Sequence, residues 1–112
     1  MGAIFKQTGE AIDYTPAMDV ASGDVVVQGE LVGVAKLDIK TGTLGALHVS
    51  GVFDFPKATG AGTAIAAGAK VYWNEAAKVA TEDPAAGANK YLGKTAAEAG
   101  DDTAFVRARL SQ

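Results

Sequence analysis

Short apolar stretches and turn residues alternate along the whole chain. Ser22-Gly23-Asp24 is a turn signal, and the Val25-Val26-Val27 run behind it carries β-branched side chains that suit a pleated surface better than a helix. Leu31-Val32-Gly33-Val34-Ala35 follows Gly29-Glu30 at hairpin spacing, and Lys40-Thr41-Gly42 marks the next turn. From Leu47 to Phe55 the odd positions are Leu47, Val49, Gly51, Phe53 and Phe55, while His48, Ser50, Val52 and Asp54 fill the even ones. That alternation predicts one strand with one buried face, ended by Pro56, with Gly51 marking a bulge or the close approach of another backbone.

Lys57 to Gly68 is small and Gly-rich and reads as loop, because its only helical stretch, Thr63 to Ala67, is too short to be stable alone. Lys70-Val71-Tyr72-Trp73 reads as a strand. Asn74 to Ala88 is a hydrophilic, Ala-rich excursion containing Pro84, with room for one short strand around Val79. The chain is expected to end in a hairpin, Tyr91 to Ala97 and Ala104 to Leu110, turned at Gly100-Asp101-Asp102. At the other end, Ala3-Ile4-Phe5 and Ala11-Ile12-Asp13-Tyr14 are short alternating stretches, and Thr15-Pro16 disfavours a helix after them.

A weak repeat runs through these pieces. Val20-Ala21-Ser22-Gly23-Asp24-Val25-Val26 resembles Ile65-Ala66-Ala67-Gly68-Ala69-Lys70-Val71, and Leu31-Val32-Gly33 has a later counterpart in Tyr91-Leu92-Gly93. Two copies make no solenoid, but they fit a small barrel or clip built from two related β-hairpin halves.

A chain of 112 residues suits one domain around one core. With 48% hydrophobic and 21% charged residues it is neither disordered nor a membrane protein by composition, and no apolar run approaches bilayer length. There is no cysteine, so no disulfide or thiolate metal site supports the fold. Much of the apolar content is alanine, which buries little area per residue, so subunit association is expected to compensate. Lys6 and Glu10 interrupt the apolar residues at the start, which leaves no signal-peptide core there. A net charge of -3 with scattered cations argues against a nucleic-acid partner, which needs a basic stripe against phosphates.

No catalytic, cofactor or metal site is expected. The stretch from Gly87 to Thr95 resembles a phosphate-binding loop, but five residues separate Gly87 from Gly93 where four are required, and Thr95 leads into a turn and a strand rather than a helix. His48 is the only histidine, which excludes a His-pair metal site, and it lies on the polar face of its stretch. Glu82-Asp83 and Asp101-Asp102 fall at turns, where such side chains cap backbone amides, and lack the alternating pattern of a calcium loop. Phe105, Arg107 and Arg109 share one strand face opposite Val106, Ala108 and Leu110. Two guanidiniums about 7 Å apart can hold carboxylates of a neighbouring subunit, or simply form a wet face.

Taken in order, Asp13-Tyr14-Thr15-Pro16, Gly23-Asp24-Val25-Val26-Val27, Gly51-Val52-Phe53-Asp54-Phe55-Pro56-Lys57 and Val71-Tyr72-Trp73 resemble the phage capsid cement family, often encoded in prophages. The resemblance covers nearly the whole chain. It implies a mainly β, single-domain fold with little helix, a β-clip or β-tulip-like barrel or sandwich over residues 20–112, and an extended N-terminal arm over residues 1–19. It further implies a homotrimer on the outside of a virion, assembled in the host cytoplasm, that binds the major capsid protein and stabilises joints between its subunits. Ile4, Phe5, Ile12 and Tyr14 would supply the arm's apolar contacts; the face of Phe105, Arg107 and Arg109 read from the last strand is the other candidate interface, and no nucleic acid, membrane or cofactor is implied.

Members of this family are sometimes labelled RecA/RadA-type recombinases, a label without support here, because the sequence offers neither an ATP site nor a basic groove. Two other functions remain open to the sequence. One is a nucleic-acid accessory protein; the other is a small ligand-binding β module, which predicts a concave pocket lined by Tyr72 and Trp73.

Overall fold

Alternating apolar runs bounded by glycine turns fold as strands throughout the chain. The computed structural model describes residues 2, 3 and 9–112, and nine strands among them form two antiparallel sheets. The first sheet holds β1 (Ala11–Tyr14), β2 (Val25–Gln28), β3 (Leu31–Ala35) and β4 (Gly45–His48), in the order β1-β4-β3-β2. The second holds β5 (Gly51–Pro56), β6 (Lys70–Asn74), β7 (Val79–Thr81), β8 (Lys90–Thr95) and β9 (Phe105–Leu110), in the order β5-β9-β8-β6-β7. A 3-10 turn at Ala85–Gly87 is the one helical element among the described residues. The fold is mainly β, as expected, and no barrel closes.

The stretch from Leu47 to Phe55 departs from expectation. It is two strands in two sheets, with the crossing at Val49-Ser50 and Gly51 at φ +125° immediately after it. The alternation survives the crossing but serves two different cores. Leu47 packs with Val26 and Ala35, joined by Ile12, Tyr14 and Val20, on one face of the first sheet. Phe55 and the flanking Phe53 belong to the larger core between the sheets, with Val32, Val34, Val71, Trp73, Leu92, Val106, Ala108 and Leu110. A period of two reports which residues share a face of a strand and carries no information about which sheet the strand joins.

The weak sequence repeat is a structural repeat. Val20 bridges Ile39 and Ile65 bridges Ala99. The Gly23 amide donates to the Ala35 carbonyl at 2.9 Å, and the Gly68 amide to the Thr95 carbonyl at 2.9 Å. Val26 pairs with Gly33 as Val71 pairs with Gly93, and β1-β4-β3-β2 follows the same path as β5-β9-β8-β6. The two copies differ most in one connection: β2 turns directly into β3 through Gly29-Glu30, whereas β6 and β8 are separated by the segment that contains β7.

Two polar features tie the halves and loops together. The Gln112 side chain donates to the Val32 carbonyl and accepts from the Val32 amide at 2.7 Å, standing in for a strand where β4 has already left the sheet. Lys57 is buried at 5% exposure and donates to the carbonyls of Ala58, Gly100 and Thr103 at 2.7, 3.0 and 3.0 Å. Asp101 receives the Thr63 and Ala64 amides beside it, so loops 58–64 and 100–104 are held as one unit.

Candidate interaction surfaces

The last strand alternates as its sequence suggests: Val106, Ala108 and Leu110 are buried, and Phe105, Arg107 and Arg109 are exposed. Pairing places these outward residues in rows across the second sheet. Val52 is opposite Arg109, Arg109 opposite Lys94, and Lys94 opposite Lys70, so three cations stand side by side on β9, β8 and β6. Residues paired in this way point to the same face, and like charges placed opposite one another cost stability. Among the described residues Arg109, Lys94 and Lys70 make no ion pair. Arg107 does: its Nε and Nη2 donate to the two Asp54 carboxylate oxygens at 2.9 and 3.3 Å.

Two apolar side chains frame the cations, Phe105 at 54% exposure and Val52 at 57%. Tyr72 and Tyr91, paired across β6 and β8, bring their rings to 5.6 Å in a tilted contact on the same sheet. Tyr72 therefore cannot line a pocket with Trp73, which points the other way into the core and is 3% exposed. The ligand pocket lined by both residues is thus ruled out by strand alternation.

A concave surface lies along β2. Val25, Val26 and Val27 form one wall of a groove of about 600 Å³, with Met18 and Val20 from the loop before β2, and Trp73, Glu75 and Lys78 from the second sheet. Val25 and Val27 are only partly buried.

Of the residues expected at an interface, Ile12 and Tyr14 lie on β1, pair with Leu47 and Gly45 of the same chain, and flank the smaller core cluster. Ile4 and Phe5 lie outside the described residues. Lys94 and Lys70 were missed by sequence reasoning, because only the strand order brings them beside Arg109. His48 is half-buried with its ring 5.4 Å from that of Phe53. The resemblance to a phosphate-binding loop dissolves, since Lys90–Thr95 is strand and the buried Thr95 hydroxyl donates to the Ala66 carbonyl at 2.6 Å. Asp83 accepts the Ala85 amide at 2.8 Å, so both acidic turns cap backbone amides. Among the described residues no group of three or more His, Cys, Asp or Glu side chains is placed to hold a metal ion, and no helix is long and apolar enough to cross a membrane.

Two carboxyls sit below their ordinary ionisation range. Asp19 is lowered by hydrogen bonds from the Thr41 amide and hydroxyl, with a smaller contribution from Lys40, and Asp54 is lowered by its hydrogen bonds and charge pairing with Arg107. A depressed folded value means that the ionised form favours the folded state, so this stability is present above about pH 4 and is lost as pH falls through the lowered values. Thermal melting between pH 7 and pH 2 should show wild type losing more Tm below about pH 4 than the Asp19→Asn, Asp54→Asn double variant. Equal slopes for the two proteins would refute this assignment.

The family model described as phage cement protein matches residues 6–110 of the chain. No curated protein and no solved structure matches it.

Proposed function

The chain belongs to the phage cement protein family, and from that premise we infer that it binds the outer surface of a capsid and reinforces joints between major capsid subunits. Membership supports a structural, capsid-associated role; the row of cations on the second sheet supports the way it binds. Arg109, Lys94 and Lys70 repel one another in the free chain and lie among exposed apolar groups, in a protein whose net charge is -3. Carboxylates on a capsid subunit would relieve that repulsion, and Phe105 and Val52 would bury apolar area at the same contact. No bond is made or broken in this role.

Three copies acting together would turn three modest contacts into one durable attachment, because the second and third bind at high effective concentration. In this reading an arm toward a neighbour would lie before Ala11, because β1 pairs with β4 of the same chain and its Ile12 and Tyr14 belong to the body.

The face also carries Tyr72 and Tyr91, and cations beside aromatic rings suit single-stranded nucleic acid, whose bases stack on such rings. Family membership and overall acidity favour the capsid. The Arg109→Glu, Lys94→Glu double variant, tested by co-sedimentation with empty shells of the phage that encodes the chain, should bind at least about tenfold more weakly than wild type, with its melting temperature unchanged or raised. Undiminished shell binding by that variant would remove the cationic face from the role. Salt-dependent binding of single-stranded DNA by the wild type, without shell binding, would reverse the choice of partner.

A further inference from the structure

The internal repeat allows each strand edge in one half to be compared with its counterpart in the other. β2 and β6 occupy equivalent places at the end of the shared four-strand order. The outer edge of β6 is covered by β7, with Tyr72 paired to Thr81, Trp73 to Ala80 and Asn74 to Val79. Among the described residues no strand lies on the outer edge of β2.

Backbone geometry shows which groups this leaves open. The two-residue loop Gly29-Glu30 makes Gln28 and Leu31 the closing hydrogen-bonded pair, and ladder bonds then alternate along β2. The Ala35 amide accordingly donates to the Asp24 carbonyl at 2.9 Å. Asp24, Val26 and Gln28 thus face β3, and Val25 and Val27 turn their N–H and C=O groups outward, where no hydrogen bond among the described residues takes them up. Val25 and Val27 line the groove together with Met18, Trp73, Glu75 and Lys78. A volume of about 600 Å³ lies within the range of sites that enclose a ligand and suits a short extended peptide.

We propose that the β2 edge is a strand acceptor, filled by an extended segment of a capsid subunit running antiparallel to β2. This deepens the capsid reading and rests on it. β7 is the template for the occupant: it is three residues long, antiparallel to its neighbour, and places the small Ala80 between two β-branched residues. Glu75 and Lys78 of the β6–β7 turn line the groove together with β2, so a lone segment fits it better than a folded edge. That geometry disfavours the described body of a second copy of this chain, whose own β2 lies inside the same kind of groove and whose other edge strands, β1, β5 and β7, are each part of a folded sheet rather than a lone segment. Main-chain bonds to Val25 and Val27 would supply affinity, and the groove would select small side chains.

The test is hydrogen exchange of the full chain, free and bound to empty shells of its own phage. The Val25 and Val27 amides should exchange freely in solution and gain at least about tenfold protection on the shell, while the amides facing β3 change little. Val27→Pro, which removes an outward N–H and leaves the bonds to β3 in place, should weaken shell binding at least about tenfold. Should that variant fail to fold, the exchange measurement still decides. Wild type that binds shells while Val25 and Val27 exchange as fast as in solution overturns the strand-acceptor proposal and leaves the capsid role standing. Wild type that does not bind shells overturns both. Protection that appears with self-association in the absence of shells overturns the choice of occupant.

Discussion

Gly93→Ala is expected to leave little folded protein at room temperature. A Cβ at this position would lie 1.9 Å from the Arg109 carbonyl oxygen and 3.1 Å from the Ser111 amide nitrogen. Both are backbone atoms of the neighbouring strand, so no side-chain rotation relieves the overlap. Gly93 also sits at φ +153°, a conformation that L side chains rarely adopt. Strain of roughly 1–3 kcal/mol from the backbone, added to an overpacking cost of similar size, is a large part of the roughly 5–15 kcal/mol that holds a domain together. Urea unfolding should show a loss above about 3 kcal/mol, or no cooperative transition. Gly100→Ala is the control, because its Cβ would meet only the Thr103 hydroxyl at 3.8 Å, and it should change stability by less than about 1 kcal/mol. If the two variants unfold alike, the pairing of β8 with β9 is wrong.

Lys57→Met should be the next most damaging change. Methionine fills similar space but supplies no donor, so the carbonyls of Ala58, Gly100 and Thr103 lose the ammonium on which they converge. Each hydrogen bond to a charged group is worth about 1.5–3 kcal/mol, and although water would reach some of these carbonyls, a loss of about 3 kcal/mol or more is expected. The Gly60 amide, which donates to the Asp101 carbonyl at 2.8 Å, should lose exchange protection together with its loop, while amides in β2 and β3 keep theirs. Uniform loss of protection across both sheets would mean that Lys57 supports the whole fold rather than the joined loops.

Neither residue is conspicuous in the sequence. Lys57 follows Pro56 at the start of a polar, Gly-rich loop and has the appearance of a solvated surface lysine. Its burial arises because loop 100–104, distant along the chain, presents carbonyls to it, and no local pattern encodes that meeting. Gly93 is one half of a repeated pair, and the echo between Leu31-Val32-Gly33 and Tyr91-Leu92-Gly93 was the available signal. Gly33 meets the same constraint in the first half, where a Cβ would lie 2.9 Å from Leu47 Cβ and 3.2 Å from the His48 carbonyl. The face formed by Phe105, Arg107 and Arg109 was legible because alternation within one strand is a local property. Its extension through Lys94 to Lys70, and the engagement of Arg107 by Asp54, depended on which strands became neighbours.

Residue by residue, then, the order of side chains determined that this chain is built from short strands and glycine turns, that it is duplicated, and which side chains share a face of each strand, since all of these arise from chemistry a few residues apart. Tertiary structure alone decided that Leu47 and Phe55 serve different cores, that a lysine is buried among carbonyls, that three cations stand in a row, and that among the described residues β2 lacks the strand its counterpart carries. The physical reason is that strand pairing joins residues far apart in the chain through backbone groups that are nearly the same for every residue type, so partners are chosen by how the whole chain packs.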